Sequence, residues 1–219
     1  MTTPHSQSAA LASIALAYRA HASKAAVPDA PPFPKTRREY KSTVGAAVHG
    51  YLENGGRSYK NTMRRAVLEK FSDAFYRGYT EAGGEDTEDD DEKWLTDKTN
   101  EELGYVDDLF SSLKVLRDGD NFDADTEADA RAEGYATTLD AVYSEGKLRG
   151  NLNVMLTWRL GETEKHCRTC SGLDGKRYSA KKWIKMGVKP REPGSTKLDC
   201  KGYNCDCFFE TDDGEEYAT

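Results

Sequence analysis

The sequence predicts a mainly α protein: an antiparallel helical bundle or bent helical array, followed by a small α+β zinc-binding module. Three observations carry this. Four stretches between residues 36 and 146 place apolar residues at helical spacing, with short Gly- or Asp-rich turns between them. All five cysteines lie beyond residue 166, in the clusters Cys167-Arg168-Thr169-Cys170 and Cys200-x4-Cys205-Asp206-Cys207. Short runs of β-branched and aromatic residues flank those clusters. The expected division is an N-terminal arm and Pro-rich linker over 1–34, a helical domain over 35–150, and a Cys-rich module with an acidic tail over 151–219.

In the arm, Leu11, Ile14, Ala15, Tyr18 and Ala22 have helical spacing and predict a short helix over 7–26. Pro28, Pro31, Pro32 and Pro34 then favour extended chain. The next helix, over 36–53, aligns Tyr40, Val44, Ala47, Val48 and Tyr51, and Asn54-Gly55-Gly56 stops it. Ser58 is placed to cap a helix whose stripe is Met63, Val67, Phe71, Phe75 and Tyr79, ending at Gly83-Gly84. Residues 85–92 hold seven acids in eight positions but lack the spacing of a calcium loop. They read as a helix start, with Thr87 and Asp90 as a capping box. That helix carries Trp94, Leu95, Leu103, Val106, Phe110 and Leu113 to Asp118-Gly119. Asp123 to Thr126 caps a last one bearing Ala132, Tyr135, Ala136, Leu139, Val142 and Tyr143, which Gly146 and Gly150 end.

Residues 153–160 read as a strand and 179–186 as a short helix with Trp183 and Ile184 inward. Residues 207–210 read as a second strand able to pair with the first, and the tail from Thr211 as loose acidic chain. Charge is uneven. The net charge of −7 divides into +6 over 1–84, −14 over 85–150 and +1 over 151–219. The acidic middle repels nucleic acid, so DNA binding would have to use the first third or the cysteine module. With a mean hydropathy of −0.80, no apolar run reaches the length of a membrane span. The Ala-rich start lacks a basic n-region and is broken by Arg19 and His21, so no signal peptide is expected and the protein is expected in the cytoplasm when made.

The cysteines carry the chemistry. Two thiolates at Cys-x-x-Cys spacing grip one ion from a single turn, and a second cluster some tens of residues on closes a tetrahedron. Five cysteines cannot all pair as internal disulfides. The expected ligands are Cys167, Cys170, Cys200 and Cys205, with Cys207 as the alternate for the last place and His166 in reserve. Sulfur in this abundance fills a closed, structural zinc site with no position left to activate water. A module of this size also needs a staple beyond its small core. A redox Cys-x-x-Cys wants its first cysteine at a helix start, whereas Gly172 to Gly175 suggest a turn. The deaminase signature fails because Cys167 follows His166 directly. P-loop, nucleophile-elbow and His-Glu-x-x-His patterns are absent, and His5, His21 and His49 are scattered. No enzyme activity is expected. The basic residues Arg168, Lys176, Arg177, Lys181, Lys182, Lys185, Lys189 and Arg191 surround Tyr178 and Trp183. They suit a nucleic-acid face, or a face that docks acidic helices of the same or another chain.

One resemblance adds to this. Leu156-Thr157-Trp158-Arg159, the run from Cys167-Arg168-Thr169-Cys170 through Leu173-Asp174-Gly175 to Tyr178, the stretch from Pro190 to Pro193, and Asn204-Cys205-Asp206-Cys207 follow one another in that order. Together they resemble the C-terminal module of tailed-phage head-morphogenesis (minor head) proteins of the Mu F-like type. The resemblance covers about the last third of the chain. The family usually places a His shortly before the closing Cys-x-Cys, and here Cys200 stands further upstream instead. The resemblance implies a virion assembly protein, present in the host cytoplasm and then the virion. Its implied partners are the portal, the major capsid protein or copies of itself, without a membrane. The alternative is a zinc-dependent nucleic-acid-binding protein.

Overall fold

In the computed structural model, residues 32–119, 122–203 and 205–217 are described. The helix predicted over 7–26 lies outside these residues, as does most of the Pro-rich linker. Four long helices follow: α1 (Phe33–Asn54), α2 (Arg57–Glu81), α3 (Asp89–Asp118) and α4 (Ala124–Gly150). Cross-helix contacts give their directions. Lys70 of α2 reaches Glu39 of α1, Arg64 of α2 reaches Asp107 of α3, and Arg37 of α1 reaches Asp140 of α4. Second contacts, Gly50 beside Tyr59, Phe75 on Trp94 and His49 with Asp125, lie toward the opposite ends, so each pair runs antiparallel and the helices form an up-down-up-down bundle. Its centre is the predicted stripes: Tyr40, Val44 and Val48 on α1, Met63, Val67, Phe71 and Phe75 on α2, Val106 and Leu113 on α3, Leu139 and Val142 on α4, all buried. Each such side chain contributes roughly 1.5–3 kcal/mol by leaving water.

The helix starts depart from expectation in three places. α1 begins at Phe33, because Pro34 in a first turn needs no hydrogen-bond partner for its nitrogen. The cap of α2 is Gly56 at φ 107°, and Ser58 lies within the first turn. The cap of α3 is Glu88, whose N–H donates to the Asp91 carboxylate at 3.2 Å, so the capping pair is one residue later than Thr87 and Asp90. The predicted Asp123 cap is present, its carboxylate accepting from Thr126 N at 3.0 Å.

Gly146 does not end α4. It lies inside the helix where α2 and α4 touch. A Cβ on Gly146 would lie 2.1 Å from the Phe75 carbonyl oxygen, one on Gly150 2.2 Å from that of Tyr79, and one on Gly78 2.2 Å from that of Tyr143. These glycines are there because two backbones meet. Gly146→Ala is expected to lower stability by about 1–3 kcal/mol through overpacking, although Ala is the better helix former by about 1 kcal/mol. Gly104→Ala on α3, with open space around the new methyl, is expected to be neutral or stabilising. Urea midpoints of the two variants test the difference.

Beyond α4 the chain forms β1 (Met155–Arg159), α5 (Arg168–Leu173), β2 (Arg177–Ser179), α6 (Ala180–Met186), β3 (Phe208–Glu210) and β4 (Glu216–Tyr217). The strands make one antiparallel sheet in the order β2-β1-β3-β4. The predicted pairing of the first strand with residues 207–210 is present, with Trp158 opposite Phe209. The tail is not loose: Tyr217 pairs with Phe209, and its hydroxyl donates to the Lys147 carbonyl at 3.0 Å. Trp158, Trp183 and Phe209 form the centre of a second apolar core, shared with Leu156, Cys170, Cys207 and Leu148 of α4. Trp183 is buried as predicted, its Nε1 donating to the Leu156 carbonyl at 3.1 Å, while Ile184 is half-buried. Among the described residues no helix is long and apolar enough to cross a membrane.

Candidate metal centre

Cys167 and Cys170 owe their placement to α5. The turn expected after Cys170 is instead a six-residue helix, and Cys167 is its N-cap, with Sγ accepting from Cys170 N at 3.4 Å. The β-region angles of Cys167 and the helical ones of Cys170 bring both sulfurs to one side of the first turn. The predicted ground for setting aside a redox reading, a turn in place of a helix start, is therefore corrected. The crowding of three further sulfurs sets this site apart from a two-cysteine redox pair.

Cys200 arrives on a loop held at several points. Thr169 N donates to the Asp199 carboxylate at 3.2 Å, and Asp199 N donates to the Thr169 hydroxyl at 3.3 Å, which ties the loop to the start of α5. Gly202, at φ 73°, lies where a Cβ would be 1.9 Å from the Glu192 carbonyl oxygen, a position closed to any other residue. Cys205 and Cys207 are anchored by the residue between them. Asp206 exchanges hydrogen bonds with Thr163, and its carbonyl accepts from Arg191 at 2.9 Å. Cys207 follows in the apolar core, immediately before β3 begins at Phe208.

The five sulfurs form two trios, Cys167-Cys170-Cys200 and Cys170-Cys205-Cys207, and within each trio the sulfurs lie within 4.8 Å of one another. Cys170 belongs to both. A tetrahedron of thiolates about 2.3 Å from a central ion has edges of about 3.8 Å. The Cys170 and Cys205 sulfurs are 3.8 Å apart. Each trio has the donor set and the compactness to hold a metal ion, and no four of the five sulfurs all lie within 4.8 Å of one another. His166 is half-buried, with Nδ1 4.0 Å from the Cys207 sulfur.

Burial is the largest influence on the thiols. Burial pushes up the thiols of Cys170, Cys200 and Cys205, and neighbouring sulfurs add to it for all three. Burial acts the same way on Cys167, but hydrogen bonds from Cys170 and Cys200 outweigh it and its thiol is lowered. A cation within the cluster removes the mutual repulsion of thiolates and releases their protons.

The basic residues of the module divide into two sets. Lys176, Lys181, Lys182 and Lys185 are exposed on and around α6, with Lys182 over the Tyr178 ring at 3.3 Å. Arg177 pairs with Asp212 and Arg191 with Glu216. Lys189 is buried. Its Nζ lies 2.6 Å from Glu145 of α4 and 3.1 Å from Glu192. Glu145 also accepts from Arg149 at 2.6 Å, and Arg149 reaches Asp91 of α3 at 2.8 Å. Arg149 and Lys189 each lie 5.3 Å from the Trp94 ring centre. Burial raises the Glu145 carboxyl, but the two cations reverse this and hold it below its ordinary value. The sequence reading missed this network, although the idea that basic residues dock acidic helices of the same chain applies to Lys189.

Comparison of the chain with protein-family models, with curated proteins and with solved structures finds no match.

Proposed function

We propose that this chain is a structural protein of tailed-phage head assembly, of the minor head or head-morphogenesis type, with a structural zinc site and no catalytic role. The observation that carries the reading is the gathering of all five cysteines around Cys170, in a module whose motif order resembles the Mu F-like one. Cys167, Cys170, Cys200 and Cys205 hold the ion, and Cys207 is the alternate for Cys205. An all-sulfur donor set selects a soft or borderline ion, and zinc takes four thiolates in a closed tetrahedron. Zinc there supplies cohesion to a small core and leaves no coordination position for water. The bundle offers docking surface to the portal, the major capsid protein or another copy, in the virion and, during assembly, in the host cytoplasm.

Two measurements test this. Metal analysis is expected to give one zinc per chain, and a cobalt-substituted sample the charge-transfer bands of four thiolates. Fractionated phage particles are expected to carry the protein in procapsids or mature heads. Its absence from both sinks the assembly role and leaves the metal site standing.

A second reading, zinc-dependent nucleic-acid binding, draws on the exposed Lys176, Lys181, Lys182 and Lys185. It requires a gel-shift complex at low salt that weakens steeply as salt rises. No complex at low salt removes it.

A further inference from the structure

Between α3, α4 and the loop that carries Pro193, Gly194 and Tyr203 lies a cleft of about 550 Å³. It is separate from the cysteine cluster. At its floor is Glu102 of α3, only 3% exposed. Tyr135 of α4 lines it from one side. Tyr105 of α3 and Tyr203 of the loop stand at its mouth, 52% and 58% exposed, two of the three large apolar side chains that are exposed among the described residues.

The environment of Glu102 is unbalanced. Of the two cations that line the cleft, Arg131 pairs with Glu127 at 3.2 Å and Lys98 with Glu101 at 2.7 Å, and the Lys98 charge only partly offsets the burial of Glu102. Among the described residues none donates a hydrogen bond to the Glu102 carboxyl. A buried carboxylate without a donor costs several times what a typical hydrogen bond contributes. Burial accordingly pushes Glu102 up to about 7. The charged residues that line the cleft are Glu101, Glu102 and Asp108 against Lys98 and Arg131, one acid in excess. Aromatic rings attract cations through their faces, most strongly where water is excluded. A buried carboxyl lacking a donor and the tyrosines around it are both met by one kind of ligand.

We propose that this cleft binds an organic cation, a primary ammonium or guanidinium group, with Glu102 as its counter-ion and Tyr105, Tyr135 and Tyr203 as its walls. The group arrives either as a Lys or Arg side chain of a partner protein or as a free amine. The proposal does not depend on the assembly role.

Calorimetric titration of the full-length protein with n-butylammonium and with n-butylguanidinium tests it, with n-butanol as the neutral comparison. At least one of the cations is expected to bind and the alcohol to bind at least tenfold more weakly. Glu102→Gln keeps the shape of the side chain and removes a desolvated charge, so the variant folds. It is expected to weaken cation binding at least tenfold. Glu85→Gln changes the net charge equally at an exposed site away from the cleft and is expected to leave binding unchanged. Tyr105→Ala, at a side chain half in solvent, is expected to weaken binding several-fold. A capped pentapeptide with a central Lys, and its Arg counterpart, assign the source. Binding at least tenfold tighter than the free cation identifies a side chain of a partner, and equal or weaker binding identifies a free amine. The proposal is overturned if neither cation binds, if the alcohol binds as well as they do, or if Glu102→Gln binds as the Glu85→Gln protein does.

Discussion

Cys170→Ser is expected to abolish stoichiometric metal binding and to unfold the C-terminal module, while the four long helices persist. Cys170 is the one sulfur common to both trios, so its loss breaks both and leaves the separate pairs Cys167-Cys200 and Cys205-Cys207. Structural zinc contributes on the order of 10 kcal/mol to the folding of small modules, and a strong chelator is expected to act on the wild type as the substitution does. Trp158 and Trp183, both fully buried beside the cysteines, report the change through red-shifted fluorescence and lost near-ultraviolet dichroism. Far-ultraviolet helix signal is expected to fall only modestly. Cys207→Ser separates ligation from packing. It places a hydroxyl in the core at a cost of about 1–3 kcal/mol, yet the protein is expected to retain one metal per chain. A Cys170→Ser protein that keeps its metal and its native tryptophan spectrum would falsify the zinc reading.

The second large effect concerns the seam between bundle and sheet. Glu145→Ala leaves Lys189 and Arg149 buried without their shared counter-charge, and a loss of about 3–5 kcal/mol is expected. Most of it is the cost of stranded charge, so Glu145→Met combined with Lys189→Met is expected to recover the greater part; Arg149 keeps Asp91. Urea denaturation of the two proteins measures both numbers. A double variant no more stable than Glu145→Ala would show that the pair itself, and not the stranded charge, sets the loss. The pH dependence has a definite sign. The folded Glu145 carboxyl titrates below its ordinary value of 4.5. Its contribution is therefore complete above that value and disappears as pH falls through the lower folded one. The acid limb of Glu145→Gln is expected to be shallower than that of the wild type.

The bundle was legible in the sequence because its signal is local. Met63, Val67, Phe71, Phe75 and Tyr79 repeat at helical spacing, and such a stripe has one economical explanation. The sheet was half legible. Residues 153–160 are long enough to show strand character, whereas β2 and β4 span three and two residues, too few for any period. They exist because β1 and β3 offer them edges. Gly146 was misread for the same reason in reverse. Helix propensity is a local rule, and the need for glycine there comes from Phe75, far away in sequence. At the candidate site, spacing identified the five thiols, but their division into trios depends on a loop held by Asp199 and Thr169. Nothing near Glu145 announces its burial, since its partner Lys189 lies 44 residues further on.

Leu148 has a practical consequence for dissecting the molecule. It lies in the last turns of α4, is 2% exposed, and its side chain is part of the core around Trp158 and Trp183. A fragment starting at 151, where the composition changes, would discard one wall of its own interior, together with the Lys147 carbonyl that receives the Tyr217 hydroxyl. An excised cysteine module that is to fold alone has to begin upstream of Glu145 and carry the end of the helix with it.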